Sequence, residues 1–532
     1  MTPHAVRARA VMTAGRTDRR NDGRRLLALT VLLSVGPSVG QSLAQCPDGS
    51  PPPCRTPAAR ASPSPPPNSV AVLYFDNLSP DTADAYLADG LTEEIIARLG
   101  QIERLRVKSR TAVQHYRGRS VAGPTTLGRA LGVPYLVNGT VRRAGPRLRV
   151  SVELVRAATG DRVWGDQYDR TQADLLAIQE EIARSVAAAI AGRLLPAERA
   201  RLFERPTRDP RAYDHFLRGN YYLGQRTPRS VARATDEYRA ALRLDPAFLR
   251  ALARTAYAYA LFLDWGWEHP SLPAESLLAQ GLLAADSATQ LDSTASDAWM
   301  ARGYLLAQRD ATSLTHAKHA LERGIVLDTG NAEAYHQYGQ ILVALEEDSA
   351  AAAAYRHALA LEPERAITLA QLATLMLIHR RPAEARRWQD SALQVDPGFA
   401  YGYAARARTH LLLGETSRAR ADAETAIRLG AGRVGQAALA AVEACEGDTL
   451  AAGARIDSVI AGAGNPPVLG AIEGHWLSSA FAAARRPERA IDVLEEVKPR
   501  GWFLSYFLRL PVFDALRSHP RFQRLVEESQ PR

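Results

Sequence analysis

A chain of 532 residues, 46% apolar and 23% charged, is too long for one core and has an ordinary globular composition, so it divides into several domains. Its formal charge of +9 suggests a phosphate-binding excess until the charges are located. Residues 1–44 hold Arg7, Arg9, Arg16, Arg19, Arg20, Arg24 and Arg25 against Asp18 and Asp22; without them 59 basic residues face 55 acidic ones, a net of +4, which excludes a strong nucleic-acid field.

The amino-terminal arginines precede a short apolar core, Leu26 to Val35, and small residues ending at Ser42-Leu43-Ala44. That order predicts a secretory signal peptide over 1–44, the core being about half the length that a membrane-spanning helix needs. The alternative is an uncleaved anchor, which is the one membrane contact expected. Residues 45–67 are rich in proline and form a spacer. Cys46 and Cys54 bracket part of it and could pair in an exported chain, or remain two free thiols. Cys445, in an Ala-rich helical stretch, is expected to be a buried apolar filler.

A β-rich run, Val70 to Phe75, opens a domain over 68–195. Helical spacing follows from Tyr86 to Leu99. Further strands are predicted at Leu105–Val107, Tyr135–Val141, Leu148–Val155 and Val163–Tyr168, and an amphipathic helix at Leu175–Leu194. This is a mixed α/β domain. Four motifs in order carry a resemblance: Val70-Ala71-Val72-Leu73 with Phe75-x-Asn77-Leu78-Ser79, Ala88-Asp89-Gly90-Leu91-Thr92-Glu93-Glu94-Ile95, Leu131-Gly132-Val133-x-Tyr135-Leu136-Val137-x-Gly139-Thr140-Val141-Arg142, and Ala158-Thr159-Gly160-Asp161. Together they resemble the TolB amino-terminal-like domain. In bacteria that domain often precedes tetratricopeptide repeats and often follows a kinase, a cyclase or a winged-helix regulator. No such domain precedes it here, so the resemblance implies an accessory or recognition role and transfers no catalytic residue.

After a linker at 196–210 the composition becomes rich in Ala and Leu. Leu361-Glu362-Pro363 recurs as Val395-Asp396-Pro397, 34 residues later, and the same step backwards from Glu362 reaches Asp328. Gly339, Ala373 and Ala407 share this period, as do Ala351, Ala385 and Ala419. Small residues let two antiparallel helices approach, and Asp-Pro stops one repeat and starts the next. The pattern resembles the tetratricopeptide repeat. It predicts an all-α solenoid, a right-handed superhelix of five to six copies over 211–430. Degenerate repeats and a capping helix, read from Phe513 to Glu528, follow over 431–532. The interval from Asp245 to Asp292 is 47 residues and carries Trp265 and Trp267, read either as partner anchors or as solenoid packing.

Chemistry is sparse. Gly430-x-Gly432-x-x-Gly435 follows a helix, so it reads as a turn and not a dinucleotide fingerprint. Glu93-Glu94 and Glu180-Glu181 point about 100° apart on helices and are expected on solvated faces. No cofactor or metal site is implied, and the chain is read as non-enzymatic. If the repeats superpose on the family, Glu333, His336, Gln340, Thr374, Tyr401 and Arg408 lie on first helices facing the groove, where a protein or peptide partner would bind. The expected function is an exported, periplasmic interaction scaffold. Two alternatives remain: a membrane-anchored sensor or output arm serving a separate catalytic chain, and an enzyme or small-molecule binder with its site in the α/β domain.

Overall fold

The computed structural model describes residues 65–529 apart from 115, 118–122, 203–204, 464–468 and 498–502. The signal peptide, nearly all of the spacer and the Cys46–Cys54 pair lie outside the described residues.

Strand β1 (Ser69–Val72) is buried at every position, as a central strand must be. Parallel to it run β3 (Arg106–Val107) and β4 (Tyr135–Ala144), and a two-residue strand β2 (Asp76–Asn77), absent from the sequence reading, also joins β4. Two antiparallel strands, β5 (Arg147–Arg156) and β6 (Arg162–Thr171), extend the sheet in the order β3-β1-β4-β5-β6. On β5, Leu148, Val150, Val152 and Leu154 are buried while Arg147, Arg149 and Arg156 are exposed, so the period of two found in the sequence sets the face. That apolar face packs on α1 (Ala85–Gly100) and α3 (Leu175–Ala191) through Leu87, Leu91, Ile95, Ile178 and Ile182. The opposite face of the parallel strands is covered by α2 (Pro124–Leu131) through Leu127 and Leu131.

The linker is partly helical, at Pro196–Leu202. Beyond it stand six helical hairpins: α4 (Pro210–Gly224) with α5 (Pro228–Leu244), α6 (Leu249–Trp265) with α7 (Ala274–Leu291), α8 (Ser296–Ala307) with α9 (Leu314–Leu327), α10 (Ala332–Ala344) with α11 (Asp348–Leu361), α12 (Ala366–Ile378) with α13 (Pro382–Val395), and α14 (Ala400–Leu412) with α15 (Thr416–Arg428). Two more continue the stack, α16 (Gly432–Glu446) with α17 (Thr449–Ala461) and α18 (Ala471–Ala483) with α19 (Pro487–Val497). These are tetratricopeptide-type hairpins. Where an Asp ends a second helix it does physical work: Asp245, Asp292, Asp328 and Asp396 each accept from the backbone N–H two residues on, at 2.8–3.1 Å, closing the turn into the next hairpin. The 47-residue interval is a longer hairpin, with α6 and α7 of 17 and 18 residues. Gly430 and Gly432 have φ of +90° and +54° between α15 and α16, a turn as expected.

The α/β domain and the solenoid share one core. Gly90 on α1 lies against Leu217 on α4, and the Tyr213 hydroxyl donates to Gln179 on α3 at 2.6 Å. Arg250 on α6 pairs with Glu94, donating from Nη1 to Oε2 at 2.8 Å. The expectation of solvated carboxylates is therefore corrected: Glu94 is buried under α6, and Glu93 sits against Arg110 at 3.0 Å. Both were read as surface because a helix pattern does not show which polar face a second domain will cover. Glu180 is likewise buried beside Arg205, whereas Glu181 pairs with Arg170. Among the described residues no helix is long and apolar enough to cross a membrane.

Candidate functional site

The inner face of the solenoid is built by its first helices. Glu333, His336 and Gln340 occupy successive turns of α10, Thr374 lies on α12, and Tyr401 and Arg408 lie on α14. The register placed them on first helices, and there they are. Their accessibility differs from the expectation: His336 is 3% exposed, Thr374 5%, Gln340 6% and Arg408 4%. Two structural features cover them.

The first is curvature. Trp265 at the end of α6 reaches Tyr401 at the start of α14, four hairpins later, with ring centroids 5.9 Å apart in an edge-to-face arrangement. Trp267 stacks on Trp265 at 5.7 Å, and both pack against the hydrophobic core. The Cα atom of Gly470 lies 3.3 Å from the position a Cβ would take on Gly266. The second feature is the chain's own carboxyl-terminal segment. A short helix, Phe503–Phe507, and a 3-10 turn, Pro511–Leu516, lie across the inner ends of the hairpins. The Tyr506 hydroxyl donates to Gln371 Oε1 at 2.6 Å, and Arg509 donates from Nη1 to the Val343 carbonyl at 3.1 Å and to Asp348 at 3.0 Å. Arg380 secures Asp514 at 2.6 Å. The final helix α20 (Pro520–Ser529) packs behind this segment, and Phe522 and Leu525 are buried. The sequence reading gave this tail an end-capping role; it also fills the interior.

Charge within the inner face is heavily compensated at one end and bare at the other. Glu333 contacts Arg365 and accepts from Gln337 at 2.9 Å, and Arg226 lies 3.6 Å away. Burial alone would raise its pKa, but Arg365 and Arg226 outweigh this and hold the carboxyl well below the usual range. Burial, aided by Arg365, pushes His336 down to about 3, so it is neutral at physiological pH; its Nδ1 bonds Thr368 Oγ1 at 2.9 Å. Arg408 is different. Its Nη1 donates to His475 Nε2 at 2.9 Å and its guanidinium lies 4.4 Å from the centroid of Trp476, yet Nε and Nη2 have no partner. Burial lowers the Arg408 pKa, and burial with Arg408 alongside pushes His475 well below its ordinary value.

A second polar cluster, which sequence reasoning missed, lies in the α/β domain, and its Arg117 guanidinium reaches the Tyr221 ring on α4 at 5.9 Å. Tyr74 accepts from Arg110 at 3.2 Å and donates to Glu93 at 3.3 Å, and Arg117 pairs with Asp89 at 2.6 Å. Burial raises Asp89 to about 7 despite that pair. The Asp89-Gly90 motif was visible, but its partners, Arg110 and Arg117, lie on or just after the short helix Arg110–Gln114, and no local pattern links them to it. Cys445, expected to be buried, is exposed. Among the described residues no group of three His, Cys, Asp or Glu side chains is placed to hold a metal ion.

No protein-family model matches the chain. It is 35% identical over 185 residues to a protein of Rhizobium meliloti (strain 1021) described as "Putative adenylate cyclase 3"; the match covers 35% of this chain and 31% of that one, so this chain spans under a third of that relative's length. Among solved structures, yeast Tom70 is similar at 14% identity and a TM-score of 0.39, covering 84% of this chain and 86% of that one. YrrB, a tetratricopeptide-repeat protein with a peptide-binding site, is similar at 19% identity and a TM-score of 0.25, covering 37% of this chain and 95% of its own. Likenesses this distant add nothing to the fold read from the helices themselves.

Proposed function

We propose that the chain is a non-enzymatic, exported interaction scaffold. In this reading a TolB-amino-terminal-like module forms a base, and a right-handed tetratricopeptide superhelix binds a protein or peptide on its inner face. One observation supports the reading above others: that face already holds a peptide, the chain's own segment 503–516, through an aromatic hydroxyl, a backbone carbonyl and two arginine–carboxylate pairs. A surface that takes a short helix followed by an extended turn has the shape and polarity for a partner segment of the same kind. Glu333, His336, Gln340, Thr374, Tyr401 and Arg408 then form the floor beneath that segment, and Trp265 and Trp267 form its closing edge.

The test is site-specific photo-crosslinking of the full-length chain in its native cells. The probe replaces Gln371 on the inner face, Arg356 on the exposed side of α11, or Val163 on the α/β domain. Adducts from position 371 and not from 356 support the groove. A partner captured from 163 alone moves recognition to the α/β domain, and an absence of adducts at all three positions refutes the scaffold reading.

A second reading is favoured by the relative described as an adenylate cyclase. There the chain is the anchored sensor or output arm of a signalling assembly whose catalytic domain is a separate chain. The mature amino terminus separates the two: cleavage after Ala44 excludes the anchored form. An enzymatic or small-molecule site in the α/β domain would have to use the Tyr74, Asp89, Glu93 and Arg110 cluster, and Asp89→Asn tests it through loss of ligand-induced thermal shift.

A further inference from the structure

We infer that the cavity beside Arg408 is a binding site for a small monocarboxylate with an apolar tail. The cavity lies between α14, α16 and α18 and has a volume of about 180 Å³. Its walls are apolar, among them Leu411, Leu412, Ala441 and Val512, with the Trp476 ring beside them. An apolar cavity of about 150 Å³ accommodates a benzene-sized molecule, so this one suits a tail of about six to eight carbons. One charged side chain lines it. Arg408 lines the cavity at 4% exposure with Nε and Nη2 unpartnered.

A guanidinium buried without a counter-charge is costly, and side chains usually provide one. Besides the Trp476 ring, the groups interacting with Arg408 among the described residues are Tyr401, Tyr506 and His475. Burial favours the neutral form of all three, so none supplies a negative charge. Two free N–H groups in a planar fork match one carboxylate. A phosphate would bring more charge than one guanidinium balances and no apolar group for the walls. Ser479 spends its hydroxyl proton on the His475 carbonyl at 2.8 Å, leaving Arg408 as the donor for the ligand. Cys445 lines the same cavity and is exposed, which places it at the mouth.

The experiment is calorimetric titration of the full-length chain with octanoate, phenylacetate, octanol and acetate. In parallel, the rate of Cys445 alkylation by N-ethylmaleimide is followed by peptide mass. Octanoate or phenylacetate is expected to bind one per chain and to slow Cys445 alkylation with the same half-saturation. Octanol and acetate are expected to bind at least about tenfold more weakly, since each lacks the charge-assisted bonds or the buried tail. Arg408→Met should lose at least about tenfold in octanoate affinity. Should that variant fail to fold, Ala483→Leu fills the cavity and keeps the guanidinium, and it too should abolish binding. The inference is overturned by absence of octanoate and phenylacetate binding, by octanol or acetate equalling octanoate, by binding that leaves Cys445 alkylation unchanged, or by full affinity in a folded Arg408→Met or Ala483→Leu chain.

Discussion

Replacing Arg250 with methionine tests whether the α/β domain and the solenoid are held together by a buried charge pair. Glu94 is 2% exposed and the Arg250 side chain 35%. In the native chain burial acts to raise the Glu94 pKa, but Arg250 overcomes it and holds the carboxyl below 4.5. Without Arg250 the carboxyl keeps only the smaller help of Arg98 and Tyr213, and its escape is to take up a proton. At pH 7, about 2.5 units above the ordinary value, protonation costs about 3.4 kcal/mol, and this caps the penalty of the buried charge. Because water already reaches part of Arg250 and can replace some of what it supplies, the expected loss is about 2–3 kcal/mol. The sign with pH is definite. The depressed native pKa gives stability that is present above 4.5 and lost as pH falls through the folded value. The raised pKa of the variant gives a penalty that grows with pH and is only about 0.7 kcal/mol at pH 5, so the gap between the chains narrows there. Urea unfolding followed by circular dichroism at both pH values measures it. A gap under about 1 kcal/mol at pH 7, or one unchanged at pH 5, refutes the reasoning. The double variant with Glu94→Gln should recover most of the loss, since no stranded charge remains.

Other outcomes follow from single contacts. A Cβ on Gly339 would lie 2.5 Å from the ring of the buried Tyr355, so Gly339→Ala should destabilise by about 1–2 kcal/mol in urea unfolding despite its better helix propensity. Glu346 is exposed and left-handed, with φ of +62°, so Glu346→Gly should raise thermal stability by about 0.5–1 kcal/mol. Burial raises Asp264 to about 7 although Tyr304 donates to it at 2.6 Å. This is the reverse of the usual aspartate case: its contribution is present below pH 3.8 and lost as pH rises to about 7. Asp264→Asn should therefore stabilise the chain in thermal melts at pH 8 and make little difference near pH 4.

The repeat was legible because its physics is local. Where the first helix carries Gly339, the second carries Tyr355; where the first carries Ala373 and Ala407, the same second-helix position carries Gln389 and Ala423. A small residue at this first-helix position is a nearest-neighbour rule that period analysis detects directly, whatever stands opposite it. The left-handed turn position keeps the period too, as Glu346, Arg380 and Gly414, although two of the three are not glycine and gave no signal. The strands of the α/β domain were legible to within a few residues because apolar alternation fixes a face. What a sequence pattern cannot supply is the contact between distant elements. Trp265 and Tyr401 are 136 residues apart, and Arg408 and His475 are 67 apart. Nothing in the neighbourhood of Glu94 distinguishes a carboxylate awaiting Arg250 from one facing water. The inner-face residues were therefore found by register, while their burial was not.

An open solenoid is nearly one-dimensional, since each hairpin touches its neighbours and the array frays from its ends. This one is closed by contacts that skip repeats, and those contacts differ in chemistry from the repeats themselves. Within and between neighbouring hairpins the packing is Ala, Gly, Leu and Tyr. Across the coil it is polar and aromatic: Arg226 with Glu333, Trp265 with Tyr401, Arg408 with His475, Arg380 with Asp514 and Arg509 with Asp348. Apolar surface would close the coil in many nearly equivalent ways, whereas hydrogen-bonded pairs demand one registration. Such pairs are also the contacts a competing polar segment can replace without exposing apolar core. The carboxyl-terminal segment is held by bonds of this kind and also by the buried side chains of Phe507, Leu508, Leu510, Phe513 and Leu516, so a partner exchanging for it must offer apolar side chains as well as an arginine to Asp348 and a hydroxyl to Gln371. The α/β domain, joined through a shared hydrophobic core as well as Glu94, would stay in place.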